Sequence, residues 1–202
     1  GVRGSAEWDL GWGWNTPTAN LVNAYAPGDK RKDGTILFSG QTDGVYGRTV
    51  PAFPAVVPRA YWNKKVYPNP ATQAAKGQRQ AGWYNHKVIR YADVLLMAAE
   101  AANEVGGAAN QTLATNLVNQ IRLRAGLGAV TFTTQAAMRT IIQNERRFEM
   151  ALDGERFFDL VRWGLAPSVL GPLGYQGRNK SYPIPQSAID FANGVLIQNP
   201  DY

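Results

Sequence analysis

The chain has 202 residues, 45% of them hydrophobic and 18% charged. That is long enough to bury a core and too apolar for a disordered chain. It contains no cysteine and a single histidine, His86. Disulfides, thiolate nucleophiles, Cys-ligated zinc or iron–sulfur centres and His-pair zinc sites are therefore excluded within it, and neither a metal nor a cofactor is expected. Residues 1–87 carry 11 Lys/Arg and 5 Asp/Glu, and residues 88–202 carry 10 of each, so the net charge of +6 lies in the first part. The densest basic run, Lys30-Arg31-Lys32, is flanked by Asp29 and Asp33. It reads as a solvated loop surface rather than the one-sided footprint of a nucleic-acid binder.

No apolar run approaches the roughly 20 residues of a membrane helix. No basic stretch leads into an apolar segment at the N-terminus, and Gly1-Val2-Arg3-Gly4-Ser5 reads as the middle of a longer protein. Trp8, Trp12 and Trp14 fall within seven residues of one another in a Gly-rich stretch. Trp12 and Trp14 have strand-like spacing and can face the same way. With the amide of Asn15 beside them, they form the candidate ligand site, in which flat rings stack on sugar faces and the amide bonds hydroxyls. The alternative is that the rings plug a loop against the rest of the fold.

Pro17 after Thr16 predicts a short helix over 18–26, with Leu21, Val22 and Tyr25 on one face. From Pro27 to His86 there is no helical period. β-like runs at 35–38, 56–62 and 83–89 are broken by prolines, so this part is read as long irregular loops with little β structure.

Beyond residue 88 the pattern turns helical. Segment 88–105 places Tyr91, Leu95, Ala98, Ala102 and Val105 on one face, and Gly106-Gly107 stops it. Segment 111–125 carries Leu113, Leu117 and Ile121, with Asn110 as a cap and Gly126 as a stop. Together they predict an antiparallel helical hairpin. In segment 134–153, Met138, Ile141, Ile142, Phe148 and Leu152 form a stripe, with Glu145 and Glu149 in its middle. Carboxylates on an apolar face need partners. Arg122, Arg124 and Arg156 are the nearest guanidinium groups outside this segment, and Asp159 and Arg162 pair at i,i+3 in the next. The structural reading of these residues is a buried ion-pair network. The chemical alternative is a carboxylate-pair glycoside hydrolase using Glu145 and Glu149. After Pro167 the chain returns to loop, with Tyr182–Pro185 extended and a helical turn over 186–189.

Several runs carry a resemblance. Ile89 to Ala101 is similar to the "RYADVLLMxAEA" helix of SusD/RagB outer-membrane nutrient-binding lipoproteins. Asn119 to Leu127 resembles their "N-x-I-R-x-R-A-G-L" segment. Glu145 to Glu149 with Asp153 to Gly164 resembles "E-R-R-x-E-x-x-x-E-G-x-R-x-x-D-L-x-R-W-G", Asp153 standing in for the usual Glu. Tyr182-Pro183-Ile184-Pro185 and Asn199-Pro200-Asp201-Tyr202 resemble the ending "P-I-P … Q-N-P-G-Y", with Asp201 in place of Gly. Pro17-Thr18, Leu21-Val22 and Asp29-Lys30-Arg31 resemble "P-T-x-x-L-V … D-x-R".

The resemblance implies the C-terminal part of a mainly α protein about twice as long, built of tetratricopeptide-like hairpins of an α-α superhelix. It implies a loop-rich ligand-facing part over 1–87, a helical scaffold over 88–165 and an extended tail over 166–202. It also implies non-catalytic binding of extracellular glycan, or in some lineages peptide, for delivery to a SusC-like TonB-dependent transporter. The full-length protein would sit on the outer face of the outer membrane of Bacteroidetes-type bacteria, held by an N-terminal lipid anchor that lies outside this chain.

Overall fold

A computed structural model describes residues 13–42, 45–67, 69–76 and 85–202. Trp8 and Trp12 lie outside the described residues. Among the described residues the fold is mainly helical with one short two-stranded ribbon, as expected. The chain divides into a unit spanning 1–153 and a unit spanning 154–202.

In the larger unit, α1 (Ala19–Ala24) starts at Thr18, whose hydroxyl accepts from Leu21 N–H, so the cap is Thr18 rather than Thr16. α2 (Lys30–Thr35) and α3 (Pro70–Lys76) fall where no helix was expected. Both are too short to show a period, and their starts rest on local capping. Asp29 caps α2, while Pro70 opens α3 beside an Asn69 side chain that accepts from Ala71 N–H. β1 (Ile36–Phe38) pairs antiparallel with β2 (Tyr61–Asn63), aligning Leu37 with Trp62 and Phe38 with Tyr61. Strand alternation then splits the ribbon between two cores. Leu37 and Trp62 pack with Val45, Val50 and Val57 on one side. Ile36 joins Val22 and Tyr25 on the other, with Phe38, Tyr61 and Phe148 against them. The β-like run at 83–89 forms no strand over its described residues, 85–89.

The scaffold is a layer of three helices, α4 (Tyr91–Val105), α5 (Ala108–Arg124) and α6 (Gln135–Glu149). Thr134 caps α6 by accepting from Ala137 N–H. The core between the helices is small at α4 and α5 and large at α6: Ala99, Ala102, Ala114 and Val118 meet Met138 and Ile142. The stripe expected on α6 is the buried one at Met138, Ile142, Glu145 and Glu149. On α4 the expected face is turned, apart from Ala102, and on α5 it is turned only at its first residue. α4 buries Asp93, Leu96, Ala99, Ala102 and Asn103, and leaves Tyr91 and Val105 about three-quarters exposed. α5 buries the expected Ile121 together with Ala114 and Val118, keeps Leu117 half-buried against the core and exposes Leu113.

The physical reason is that α4 is apolar on both sides, so periodicity does not choose between them. The choice falls to alanines that permit close helix approach, and to polar residues that find partners inside. Asp93 accepts from buried Arg146 at 2.7 Å, and Asn103 donates to Gln135 O at 3.1 Å. The cap expected at Asn110 is Gly107; Asn110 lies inside α5 and donates to Gly106 O. Gly126 ends the helix at φ +81°, where a Cβ would also meet the Lys30 side chain and Gly28 O at 3.1 and 3.3 Å.

The smaller unit contains α7 (Arg156–Arg162), α8 (Ala166–Leu170) and α9 (Gln186–Phe191). Its last residues fold back on the extended run at 182–185. The Gln198 side chain accepts from Ile184 N–H at 2.8 Å and donates to Ile184 O at 2.9 Å. Asn199 Nδ2 donates to Tyr182 O, and the Tyr202 hydroxyl donates to Ser181 O. Asp201 holds φ +69°, a left-handed conformation that glycine adopts without strain, which explains why the resembling pattern has Gly there.

Candidate functional site

Two features compete for function, the carboxylates of α6 and the aromatic loops. Glu145 and Glu149 lie one turn apart, 2% and 4% exposed. All four of their oxygens are taken. Glu145 Oε2 accepts from Arg31 Nη1 at 2.6 Å, and Oε1 from Arg122 Nη1 at 2.5 Å. Glu149 Oε1 accepts from Arg90 Nη1 at 2.7 Å, and Oε2 from Arg124 Nη2 at 2.5 Å. Arg31 also grips Asp29 through two bonds of 2.9 and 2.7 Å, and Arg90 Nη2 bonds Asp153 at 2.7 Å.

Arg122 and Arg124 are thus brought to the acids. Arg156 belongs to the smaller unit, where Arg162 Nε donates to Asp159 at 2.9 Å within α7. Arg31 and Arg90 are the partners that sequence reasoning missed. Asp29-Lys30-Arg31 is not a solvated loop: the Asp29 and Arg31 side chains are 1% and 8% exposed. The available signal was an N-capping Asp two residues before an Arg, a spacing that lets one carboxylate take both the backbone N–H and the guanidinium.

Burial pushes the Glu149 carboxyl up, but hydrogen bonds from Arg90 and Arg124 outweigh it and hold the group below its ordinary 4.5. A carboxylate with a depressed folded value contributes stability above its unfolded value and loses it as pH falls through the folded one. Urea midpoints should therefore be level down to about pH 4.5 and decline below it. In Glu149→Gln the decline should be shallower, and an identical decline in both proteins would show that this carboxylate is not the linked group.

The aromatic feature is a cleft in the larger unit. Trp14, 80% exposed, stands at its edge, with Val57, Trp62 and Tyr67 in the wall and Thr16 and Asn63 as polar groups. Trp62 is fixed from behind, its Nε1–H donating to Ser39 Oγ, which donates in turn to Arg59 O. The Arg48 guanidinium donates to the Tyr67 hydroxyl and lies over its ring, and exposed Tyr46 stacks on Tyr67 with centroids 6.3 Å apart. Such an apolar wall with a few polar groups suits a ligand with alternating C–H faces and hydroxyls. Asn15 is placed beside Trp14, with its Nδ2 donating to Leu152 O at 2.9 Å. His86 is exposed, and among the described residues no group of three His, Asp or Glu converges on a metal position. Neither glutamate of the ion-pair network lines the cleft.

A model of the SusD family matches residues 3–181. A SusD-like protein of Formosa agariphila is 29% identical over all of this chain, which spans 43% of that relative. Surface glycan-binding protein A of Bacteroides uniformis superposes with a TM-score of 0.66 at 25% identity, over 90% of this chain and 40% of its own. A laminarin-binding SusD-like protein gives a TM-score of 0.62 at 31% identity, over 91% of this chain and 36% of its own.

Proposed function

Because the chain belongs to the SusD family, we propose that it binds a glycan without cleaving it, using the Trp14 cleft as its stacking surface. The observation that carries this reading is the cleft itself: a largely exposed tryptophan facing an aromatic wall in the loop-rich part of the chain. Support for the ligand class comes from the similarity to proteins named for glycan and laminarin binding. Non-catalytic action is supported by the carboxylates. An acid or nucleophile needs an oxygen directed at the sugar, and each oxygen of Glu145 and Glu149 is bonded to a guanidinium. In this reading the whole protein sits at the outer face of the outer membrane, lipid-anchored, and hands glycan to a TonB-dependent transporter.

The test is affinity electrophoresis and calorimetry of the chain against laminarin, other soluble polysaccharides and peptides. A polysaccharide should retard it, and Trp14→Ala should weaken that binding by about thirtyfold, the loss expected on truncating a central aromatic contact. Retention by peptide alone would replace the glycan reading with a peptide-binding one. Undiminished binding by Trp14→Ala would move the site elsewhere.

A further inference from the structure

The last turn of α6 leaves carbonyls without helical N–H partners. In this chain carbonyls at that end, and in the turn that follows it, are bonded by side chains from far away in sequence. Phe148 O accepts from the Tyr25 hydroxyl at 3.2 Å. Glu149 O accepts from Arg90 Nη2 at 2.7 Å and from Lys65 Nζ at 3.0 Å. Ala151 O accepts from Lys65 Nζ at 2.8 Å, and Leu152 O from Asn15 Nδ2 at 2.9 Å. Lys65 completes its bonding with Asp153 at 3.1 Å. Cations at a helix C-terminus also meet the favourable end of its dipole.

Two of these donors bear on the cleft. Asn15 directly follows Trp14. Lys65 lies in a 3-10 turn (Lys64–Val66) that continues β2, the strand of Trp62; its own Val66 and the preceding Asn63 line the cleft. The edge and the wall are thus pegged to one five-residue stretch, 149–153, through three of its carbonyls and the Asp153 carboxylate. Asn15 and Leu152 both hold left-handed backbone, at φ +53° and +66°. Non-glycine residues keep that conformation only where their surroundings impose it.

We propose that Asn15 and Lys65 are positioning residues, which set the spacing and tilt of the Trp14 ring against the Trp62–Tyr67 wall by anchoring both to the end of α6. Asn15 therefore serves the site by holding the ring rather than by presenting its amide to a ligand. The consequence for affinity rests on the glycan reading above; the placement of the ring does not.

The test uses the 202-residue chain labelled with 5-fluorotryptophan, with the Trp14 line in the 19F spectrum assigned by Trp14→Phe. Asn15→Ala and Lys65→Met should each move that line, and Lys65→Arg should bring it part of the way back. Val118→Ala, which loosens the three-helix core away from the cleft, should lower the melting temperature and leave the line in place. Laminarin binding should weaken about tenfold in Asn15→Ala and Lys65→Met but not in Val118→Ala. An unmoved Trp14 line in either folded variant overturns the proposal. Asn15 is exposed, so Asn15→Ala keeps its fold and decides the matter if Lys65→Met does not. Failure of the unaltered chain to bind any glycan would overturn the glycan reading, while the fluorine line would still decide the positioning role.

Discussion

Arg31→Met lowers the unfolding free energy by about 3–5 kcal/mol, the cost of removing one partner from a buried charge pair. The Arg31 side chain is 8% exposed and joins two carboxylates that are more buried still, Asp29 at 1% and Glu145 at 3%. A third, Glu149, comes within 3.9 Å of the same guanidinium. Methionine fills the space but leaves Asp29 with only the residue 31 backbone N–H, and Glu145 with Arg122 alone, at the centre of a cluster of anions. Arg139 provides the contrast: it forms a bidentate bridge to Glu104 at 2.6 and 2.7 Å, but both side chains are about 40% exposed. Water replaces such a bridge readily, so Arg139→Met should leave the urea midpoint near that of the unaltered chain. Equal midpoints for the two variants would show that burial does not separate these bridges.

Ile142→Ala costs about 2–5 kcal/mol, and the composition of its surroundings places it toward the upper end of that range. Ile142 is 1% exposed, and its neighbours include Ala99, Ala102 and Ala114. Alanine has no rotamers with which to close a void, and α4 and α5 are already drawn together over those methyl groups, so the cavity should stay open. Tyr91→Ala tests the same packing from the other side. The ring is 74% exposed, so its loss should change stability by no more than about 0.5 kcal/mol. Calorimetric unfolding of both variants measures this, and a larger loss from Tyr91→Ala would restore the face of α4 that periodicity suggested.

What could be read in the sequence divides along a physical line. α6 was legible because its apolar stripe is narrow and interrupted by two acids, a pattern that calls for partners inside the fold. α4 was not, because alanine and leucine lie on both of its sides, and the buried side is chosen by Asp93 meeting Arg146 from another helix. Arg31 was illegible for a related reason. A basic run flanked by two acids resembles a wetted loop, and its deciding partner, Glu145, lies 114 positions further on. Trp14 announced itself as one of a cluster of tryptophans in a glycine-rich stretch. The wall facing it did not, since Trp62 and Tyr67 reach it only through the pairing of β2 with β1 and the turn that follows. The tail motif was recognisable as a pattern, but its purpose emerges only from Gln198, Asn199 and Tyr202 bonding the 181–184 backbone.

The acceptors at the end of α6 are largely peptide oxygens, and every amino acid supplies one. Drift at positions 148, 151 and 152 therefore cannot delete those acceptors while the turn keeps its course. The loops that plug into it need only retain a donor of suitable reach, such as an amide at 15 or an amine at 65. Their remaining residues are at liberty to diversify while the helical chassis stays fixed.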